Sequence, residues 1–238
     1  MIKDGLIQLR KLAGIPVQVS IIQPKGKPNV RSLKPMKPKG ITLHSTGNTS
    51  PSAGAIAHGS YLQNLENRNK EYKSWHITVS HDRIVQHLPL TEQAYHSGDG
   101  EHGYGNTSTI GIEIAENIAY DQSERNAVKL IVALMRHFAF DISTIQPHRH
   151  YSNSKKLCPR RILLSENTWK EDWERFKNQR IQRALEHYHS LESIPVWGKK
   201  TIKKLISKGY LEGDAESLGL TLEMVRVFVV HDRAGLYD

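Results

Sequence analysis

The sequence has one cysteine, few aromatic side chains and no long apolar run, and each shortage excludes a class of protein. A single cysteine in 238 residues rules out an internal disulfide. No apolar segment approaches the ~20 residues that a membrane-spanning helix requires. Met1–Val19 is interrupted by four charged side chains, so it has no apolar stretch of the secretory-signal kind. We therefore expect synthesis in the cytoplasm, with any later exit from the cell by another route.

The composition is that of a soluble globular protein with an excess of positive charge. Hydrophobic residues make up 38% and charged residues 24% of the chain, and the net charge is +9. This charge favours a polyanionic partner, such as nucleic acid, an anionic membrane surface or an anionic cell wall. Aromatic residues amount to 7%, too few to suggest a stacking platform for single strands. Because no nucleic-acid motif is recognisable either, nucleic acid is not the expected partner.

The first half of the chain predicts a strand-rich domain. Residues 1–40 are rich in Pro, Lys and Gly, which indicates a mostly irregular arm with one short strand at Val17–Ile22. Residues 40–48 predict a buried strand that ends at His44, and residues 52–67 predict a helix. Two alternating segments, 75–80 and 83–88, predict a hairpin.

The second half contains a central strand and several helices. The glycine- and histidine-rich segment 94–106 indicates a long loop, and residues 109–115 predict a central strand in which Glu113 is the exception. A carboxylate in a buried strand is costly unless it is paired or has a task. Residues 122–139 and 169–189 predict helices.

The break at Ile194-Pro195 indicates a domain boundary. The pattern predicts a main domain over residues 1–180, a helical linker over 181–194 and a small helical unit over 195–238. Within that unit, two helical stretches are predicted at 197–208 and 222–230. They are joined by a turn around Gly209, Gly213 and Asp214.

The stretch from Gln146 to Arg160 carries the lone Cys158 and the histidine His148 ten positions earlier. Its Pro, Ser, Asn and basic residues indicate a polar loop, where a thiolate with a lowered pKa suits either a nucleophile or a metal ligand. Together with His44, these residues offer two imidazoles and one thiolate, the donor number of a catalytic zinc site. A buried structural thiol and a cysteine nucleophile remain alternatives, because two His and one Cys also recur by chance in a chain with 13 His.

Five separated segments occur together in an order that resembles the type-2 N-acetylmuramoyl-L-alanine amidases. They are Leu43-His44-Ser45-Thr46, Trp75-His76-Ile77-Thr78-Val79, Tyr95-His96-Ser97-Gly98-Asp99-Gly100, Ile110-Gly111-Ile112-Glu113-Ile114-Ala115-Glu116-Asn117, and the stretch from Pro147-His148 to Cys158-Pro159-Arg160. The resemblance covers roughly residues 15–178. It implies an α/β fold with a mixed central β-sheet flanked by helices, and an enzyme that cleaves the lactyl–peptide amide of peptidoglycan.

The resemblance also implies the site. By matching motif, a Zn²⁺ ion would be held by His44, His148 and Cys158. Glu113 matches the general base, and Lys156 matches the residue that stabilises the oxyanion. The catalytic tyrosine that some relatives place before the strand histidine is replaced here by Trp75, so the acid–base role falls on Glu113 or on a bound water.

Other residues and alternatives follow from the same likeness. His76, Trp75 and His96 are candidates for lining the substrate cleft. Residues 195–238 resemble small helical wall-attachment modules that could bind anionic wall polymers, although a helical extension that packs on the amidase or forms a dimer is the alternative. We expect a phage or prophage endolysin that reaches the wall after holin-type exit or lysis. The alternatives are a non-catalytic peptidoglycan-binding protein of the same fold and a cytosolic amidase that recycles wall fragments.

Overall fold

The computed structural model describes residues 1–68, 71–188, 190–211 and 218–238. Its strands are β1 (Ile2–Lys3), β2 (Leu6–Ile7), β3 (Lys11–Leu12), β4 (Ile15–Val19), β5 (Gly40–Ser45), β6 (Ile77–Val79), β7 (Ile84–Gln86), β8 (Thr109–Ile114), β9 (Ile145–Pro147), β10 (His187–Tyr188) and β11 (Leu220–Thr221). Its helices are α1 (Ala55–Arg68), α2 (Tyr104–Ser108), α3 (Tyr120–Phe138), α4 (His148–Tyr151), α5 (Trp169–Phe176), α6 (Arg183–Leu185), α7 (Val196–Ser207) and α8 (Leu222–Arg233). A π-helical stretch, Lys177–Gln182, joins α5 to α6, and short 3-10 turns lie at Ile142–Thr144 and Leu191–Ser193.

Seven of the described strands form one mixed sheet in the order β3-β4-β7-β6-β8-β5-β9. The β6–β7 hairpin is antiparallel, whereas β8 runs parallel to both β6 and β5, and β5 runs parallel to β9. The predicted mixed sheet flanked by helices is therefore confirmed. The carboxyl ends of β8, β5 and β9 lie side by side at one edge, which is where open α/β sheets place their binding crevices.

The two faces of the sheet have different tasks. Along β5 and β8, Ile41, Leu43 and Ile112 belong to the main apolar core and are fully buried. That core includes the inner side of α3, for example Leu130 and Ile131. Because successive side chains of a strand point to opposite faces, the residues of the other parity turn away from α3. They are polar or small, and they include the two predicted site residues of these strands, His44 and Glu113.

The N-terminal segment differs from its prediction. Four short strands precede residue 20, and β4 joins the main sheet parallel to β7. Ile7, Leu12 and Ile15 are buried in the main core. The prediction of an irregular arm was therefore wrong for residues 1–19, because the proline-rich part begins only at Pro24 and the apolar residues before it are free to pair and pack.

The C-terminal unit has an apolar core of its own. Ile194, Ile202, Leu205, Leu220 and Val225 form a cluster that is distinct from the main core. The helices α7 and α8 lie close to their predicted bounds, whereas the predicted turn residues Gly213 and Asp214, like His189, lie outside the described residues. The linker was predicted to be helical over residues 181–194, but α6 ends at Leu185. The two residues of β10 then pair with β11. No helix in the described ranges has both the length and the apolar character for crossing a membrane.

Candidate active site

The fold brings together the three residues that the sequence offers as metal ligands. His44 lies near the carboxyl end of β5, His148 is the first residue of α4 directly after β9, and Cys158 lies in the loop that follows. One donor atom from each lies within 4.8 Å of the other two. The imidazole centroids of His44 and His148 are 4.6 Å apart. His44 and Cys158 are 114 positions apart in sequence, and the parallel pairing of β5 with β9 brings their segments together.

Burial sets the protonation of this cluster. Burial lowers the pKa of His44 well below its ordinary value, and it lowers the pKa of His148 to about 4, with the charge of Lys156 acting in the same direction. Both rings are therefore neutral near pH 7, as metal ligands must be. Burial raises the pKa of the Cys158 thiol to about 12, so this thiol holds its proton until a cation lies beside it.

One buried nitrogen in the cluster lacks a protein partner. Nε2 of His148 is buried and has no hydrogen-bond partner among the described residues. Nε2 of His44 is within 3.0 Å of Nδ1 of His96, which leaves Nδ1 of His44 for another partner. An unsatisfied imidazole nitrogen beside a second imidazole and a thiol is the environment that a thiophilic divalent cation such as Zn²⁺ satisfies. The donor set therefore fits zinc.

His96 supports the cluster from behind. Its ring is 91% buried, lies 3.3 Å from the carbonyl oxygen of Thr109 through Nε2, and contacts His44 through Nδ1. A Cβ at Gly111 would lie 2.8 Å from this ring, so only glycine leaves room for it. Such outer partners fix the orientation of a ligating ring. The sequence analysis placed His96 at the border of the cleft and did not predict that it supports His44. The signal for this support is Gly111, because a glycine inside a central strand marks a site where another group approaches the backbone closely.

Glu113 faces the cluster from the neighbouring strand. It is paired in register with His44 across β5 and β8. Its Oε2 atom is buried and has no hydrogen-bond partner within the described part of the chain. Burial raises the pKa of Glu113 from 4.5 to about 7, although the charges of Lys156 and Lys73 oppose the shift. A carboxyl group poised near neutrality can both accept and return a proton.

The three donors, Glu113 and Lys156 line a cleft of about 320 Å³, the main cleft. Its opposite wall is formed by α1 and the segment before β6, including Tyr61, Lys73 and Trp75. Trp75 is almost fully buried, and its indole Nε1–H donates to Thr78 Oγ1 at 2.8 Å, so it forms a fixed wall.

His76 is placed differently from the other cleft candidates. It is fully buried, and the structure gives both ring nitrogens backbone partners. Nδ1 accepts from the Gly111 N–H at 2.9 Å, and Nε2 lies 2.8 Å from the Glu92 carbonyl oxygen. It does not line the main cleft. We therefore infer that His76 braces the sheet, because no atom of its ring remains for a substrate.

An ion pair ties the cysteine loop to the sheet. The guanidinium of Arg160 donates to both carboxylate oxygens of Glu116: Nε lies 3.1 Å from Oε1 and 2.9 Å from Oε2, and Nη2 lies 2.6 Å from Oε2. Glu116 is 97% buried and follows β8, and the Arg160 N–H donates to Ser45 Oγ at the end of β5. The Arg149 N–H donates to the Cys158 carbonyl at 3.1 Å. These bonds fix the loop that carries Cys158.

Comparison with known proteins agrees with this arrangement. The family profile of N-acetylmuramoyl-L-alanine amidase matches residues 34–161. The N-acetylmuramoyl-L-alanine amidases XlyA and CwlH of Bacillus subtilis (strain 168) are 41% and 37% identical over 144 and 145 residues, in each case 60% of this chain. These matches cover 44% of XlyA and 53% of CwlH, so the chain spans about half the length of the curated relatives it matches.

The solved structures extend the likeness to the fold. A mutant endolysin from Bacillus subtilis is 39% identical with a TM-score of 0.57, over 66% of this chain and 98% of that one. Because the family profile spans more than half of the sequence, the chain belongs to the N-acetylmuramoyl-L-alanine amidase family.

Proposed function

We propose that the protein is a zinc-dependent peptidoglycan hydrolase that cleaves the amide between N-acetylmuramic acid and L-alanine. The observation that carries this proposal is the clustering of His44, His148 and Cys158 opposite Glu113 in one cleft. Family membership supports the same reaction.

The residues of the cleft suit separate steps of amide hydrolysis. Zinc held by His44, His148 and Cys158 would polarise the scissile carbonyl and make a bound water more acidic. Glu113, with its pKa raised to about 7, takes the proton of the attacking water and passes it to the departing L-alanine amine. The ammonium of Lys156, which lines the same cleft, stabilises the negative charge that develops on the carbonyl oxygen.

We further propose that the protein acts as a phage or prophage endolysin, since a similar solved structure is described as an endolysin. Residues 195–238 would then attach the enzyme to anionic wall polymers, and release by a holin or by lysis would bring it to the wall. Their separate apolar core supports an independent module. A non-catalytic peptidoglycan-binding protein is the weaker candidate, because Cys158 and Glu113 are both present. A cytosolic recycling amidase would have no need of the additional unit.

Mass spectrometry of digested cell wall tests the reaction. We expect new L-alanine amino termini and free lactyl carboxyl groups on muramic acid, with no new reducing sugar ends. Protein treated with a chelator and protein carrying Glu113→Gln are the controls, and both should release these products far more slowly. New reducing ends without new amino termini would identify a glycosidase instead, and an unchanged wall would favour a binding protein.

A further inference from the structure

A second cleft adjoins the main cleft and has no task so far. This side cleft has a volume of about 540 Å³ and is lined by Tyr72, Gly98, Glu101, Ser152 and Ser154. The two clefts share three lining residues, Tyr95, His96 and His148. A ligand that extends through both clefts therefore passes directly beside the proposed metal ligands.

The two clefts differ in charge. The main cleft is lined by Lys73 and Lys156, and neither ammonium has an ion-pair partner in the described ranges. The side cleft is lined by no Lys or Arg, and its one carboxylate, Glu101, is paired with Lys34. Charge complementarity thus favours an anionic ligand group in the main cleft and an uncharged one in the side cleft.

The surface of the side cleft suits a carbohydrate. The Tyr72 side chain is 68% exposed, and its ring meets the Tyr95 ring edge-on at a centroid distance of 5.3 Å. The hydroxyl oxygens of Ser152 and Ser154 lie 3.0 Å apart and can each donate and accept. An amphipathic ring that is held in place beside hydroxyl groups matches a pyranose, which has an apolar C–H face and a polar rim.

We propose that the side cleft binds the uncharged glycan strand of peptidoglycan, with Tyr72 as the platform for an N-acetylhexosamine next to the muramoyl residue. The peptide stem, which carries carboxylates, then lies in the main cleft beside Lys73. This inference rests on the proposed function, because the scissile amide joins these two halves of the substrate. The junction of the clefts at His148 places that bond beside the proposed ligand cluster.

Two soluble substrates with the same stem test the assignment. One is a muramoyl-peptide, and the other carries N-acetylglucosamine on the muramoyl residue. Tyr72→Ala should raise KM for the disaccharide substrate about fivefold or more and leave KM for the monosaccharide substrate and both kcat values unchanged. Lys73→Met should raise KM for both substrates by the same factor. Equal effects of Tyr72→Ala on both substrates would overturn the assignment.

A binding measurement separates this inference from the proposed reaction. Saturation-transfer NMR with the peptide-free N-acetylglucosamine–N-acetylmuramic acid disaccharide requires no turnover. We expect a signal with the unaltered protein and with the control Tyr104→Ala, whose 49% exposed side chain lines neither cleft, and loss of the signal with Tyr72→Ala. Disaccharide binding without amide cleavage would sustain the glycan site and reject the reaction. Amide cleavage with no Tyr72-dependent signal would do the reverse.

Discussion

At the scale of single residues, Cys158 combines deep burial with a raised pKa. The side chain is 97% buried, and its Sγ lies 4.0 Å from the Ser45 carbonyl oxygen, its only described hydrogen-bond partner. A cysteine nucleophile needs a thiolate in an exposed, electropositive setting. The buried thiol of this chain fits a ligand or a structural residue better than it fits a nucleophile.

Replacement of this thiol tests its role as a ligand. Cys158→Ser should lose most of about one bound zinc per chain, because a hydroxyl is a poor ligand beside two imidazoles. Elemental analysis of purified protein measures the loss. His150→Ala is the control, since His150 lines neither cleft, and it should keep its zinc. Full zinc content in the Cys158→Ser protein would reject the ligand assignment.

Glu113 is the residue whose chemistry can be separated from metal binding. Glu113→Gln should keep the fold and the zinc but lower kcat by ~10²-fold or more, because the amide cannot accept the proton of the attacking water. Turnover of a soluble muropeptide provides the rate. Glu124→Gln is the matched control, since Glu124 pairs with Arg180 and lines neither cleft. Near-normal turnover of Glu113→Gln would place the base elsewhere.

Glu113→Gln, which should lower kcat, should also raise the stability of the metal-free protein at high pH. In the metal-free protein the folded state binds the Glu113 proton up to about pH 7, whereas the unfolded chain releases it near pH 4.5. Stability is therefore lost as the pH rises between these values. Glu113→Gln should raise Tm of the metal-free protein by a few degrees at pH 8 and by little at pH 4. Thermal unfolding at both pH values measures this, and an equal change at both would reject burial of the carboxylate as the cause.

At the scale of elements, the periodic patterns of the sequence predicted the helices and strands whose formation is determined by hydrophobic burial. The helix predicted at 122–139 corresponds to α3, and the strand predicted at 109–115 corresponds to β8. The pairing of β4 with β7 was not predictable, since a parallel partner 67 residues away leaves no local signal. The ligand cluster came from the resemblance, because spacing alone also allowed a nucleophile. The contact between His96 and His44 depends on packing across the sheet. Its one signal in the sequence is Gly111, because only glycine leaves room for the His96 ring.

The connection between β8 and the cysteine loop predicts a positioning effect. Glu116→Gln removes the buried carboxylate charge that pairs with the half-exposed guanidinium of Arg160, a contact that fixes the residues after Cys158. We expect zinc affinity to fall about 10-fold, as is usual when an outer partner of a metal site is lost. Competition with a chelator measures the affinity. Glu124→Gln is the control, because its ion pair with Arg180 lies away from the site. Equal affinities in the two variants would limit Glu116 to a structural role.

At the scale of the whole molecule, the C-terminal unit forms its own interior. Leu205 and Val225 are buried within it, whereas Trp197 is 45% exposed. Leu205 and Val225 therefore pack against other residues of the unit itself. The two parts are joined through Arg136 of α3, whose guanidinium donates to the carbonyl oxygens of Leu185 and His187 at 2.9 and 3.0 Å.

Removal of residues 190–238 tests the wall-binding role. This deletion keeps both acceptors of Arg136, so Tm should change little and turnover of a soluble muropeptide should not change. Pelleting with intact walls should fall, and the remaining binding should weaken with salt because surface charges are screened within ~8 Å at physiological ionic strength. Unchanged pelleting with a large drop in Tm would instead assign the unit a stabilising role.

The pairing of β10 with β11 bears on any attempt to exchange the C-terminal unit with that of another protein. His187 and Tyr188 form a two-residue ribbon with Leu220 and Thr221, and the Tyr188 ring also stacks over Arg136 of α3 at 4.5 Å. A graft that starts at Pro195 would omit β10, the strand that pairs with β11. Leu220 of β11, which is 97% buried, would then be exposed. The exchangeable cassette therefore begins at His187, so that β10 is transferred together with its partner β11.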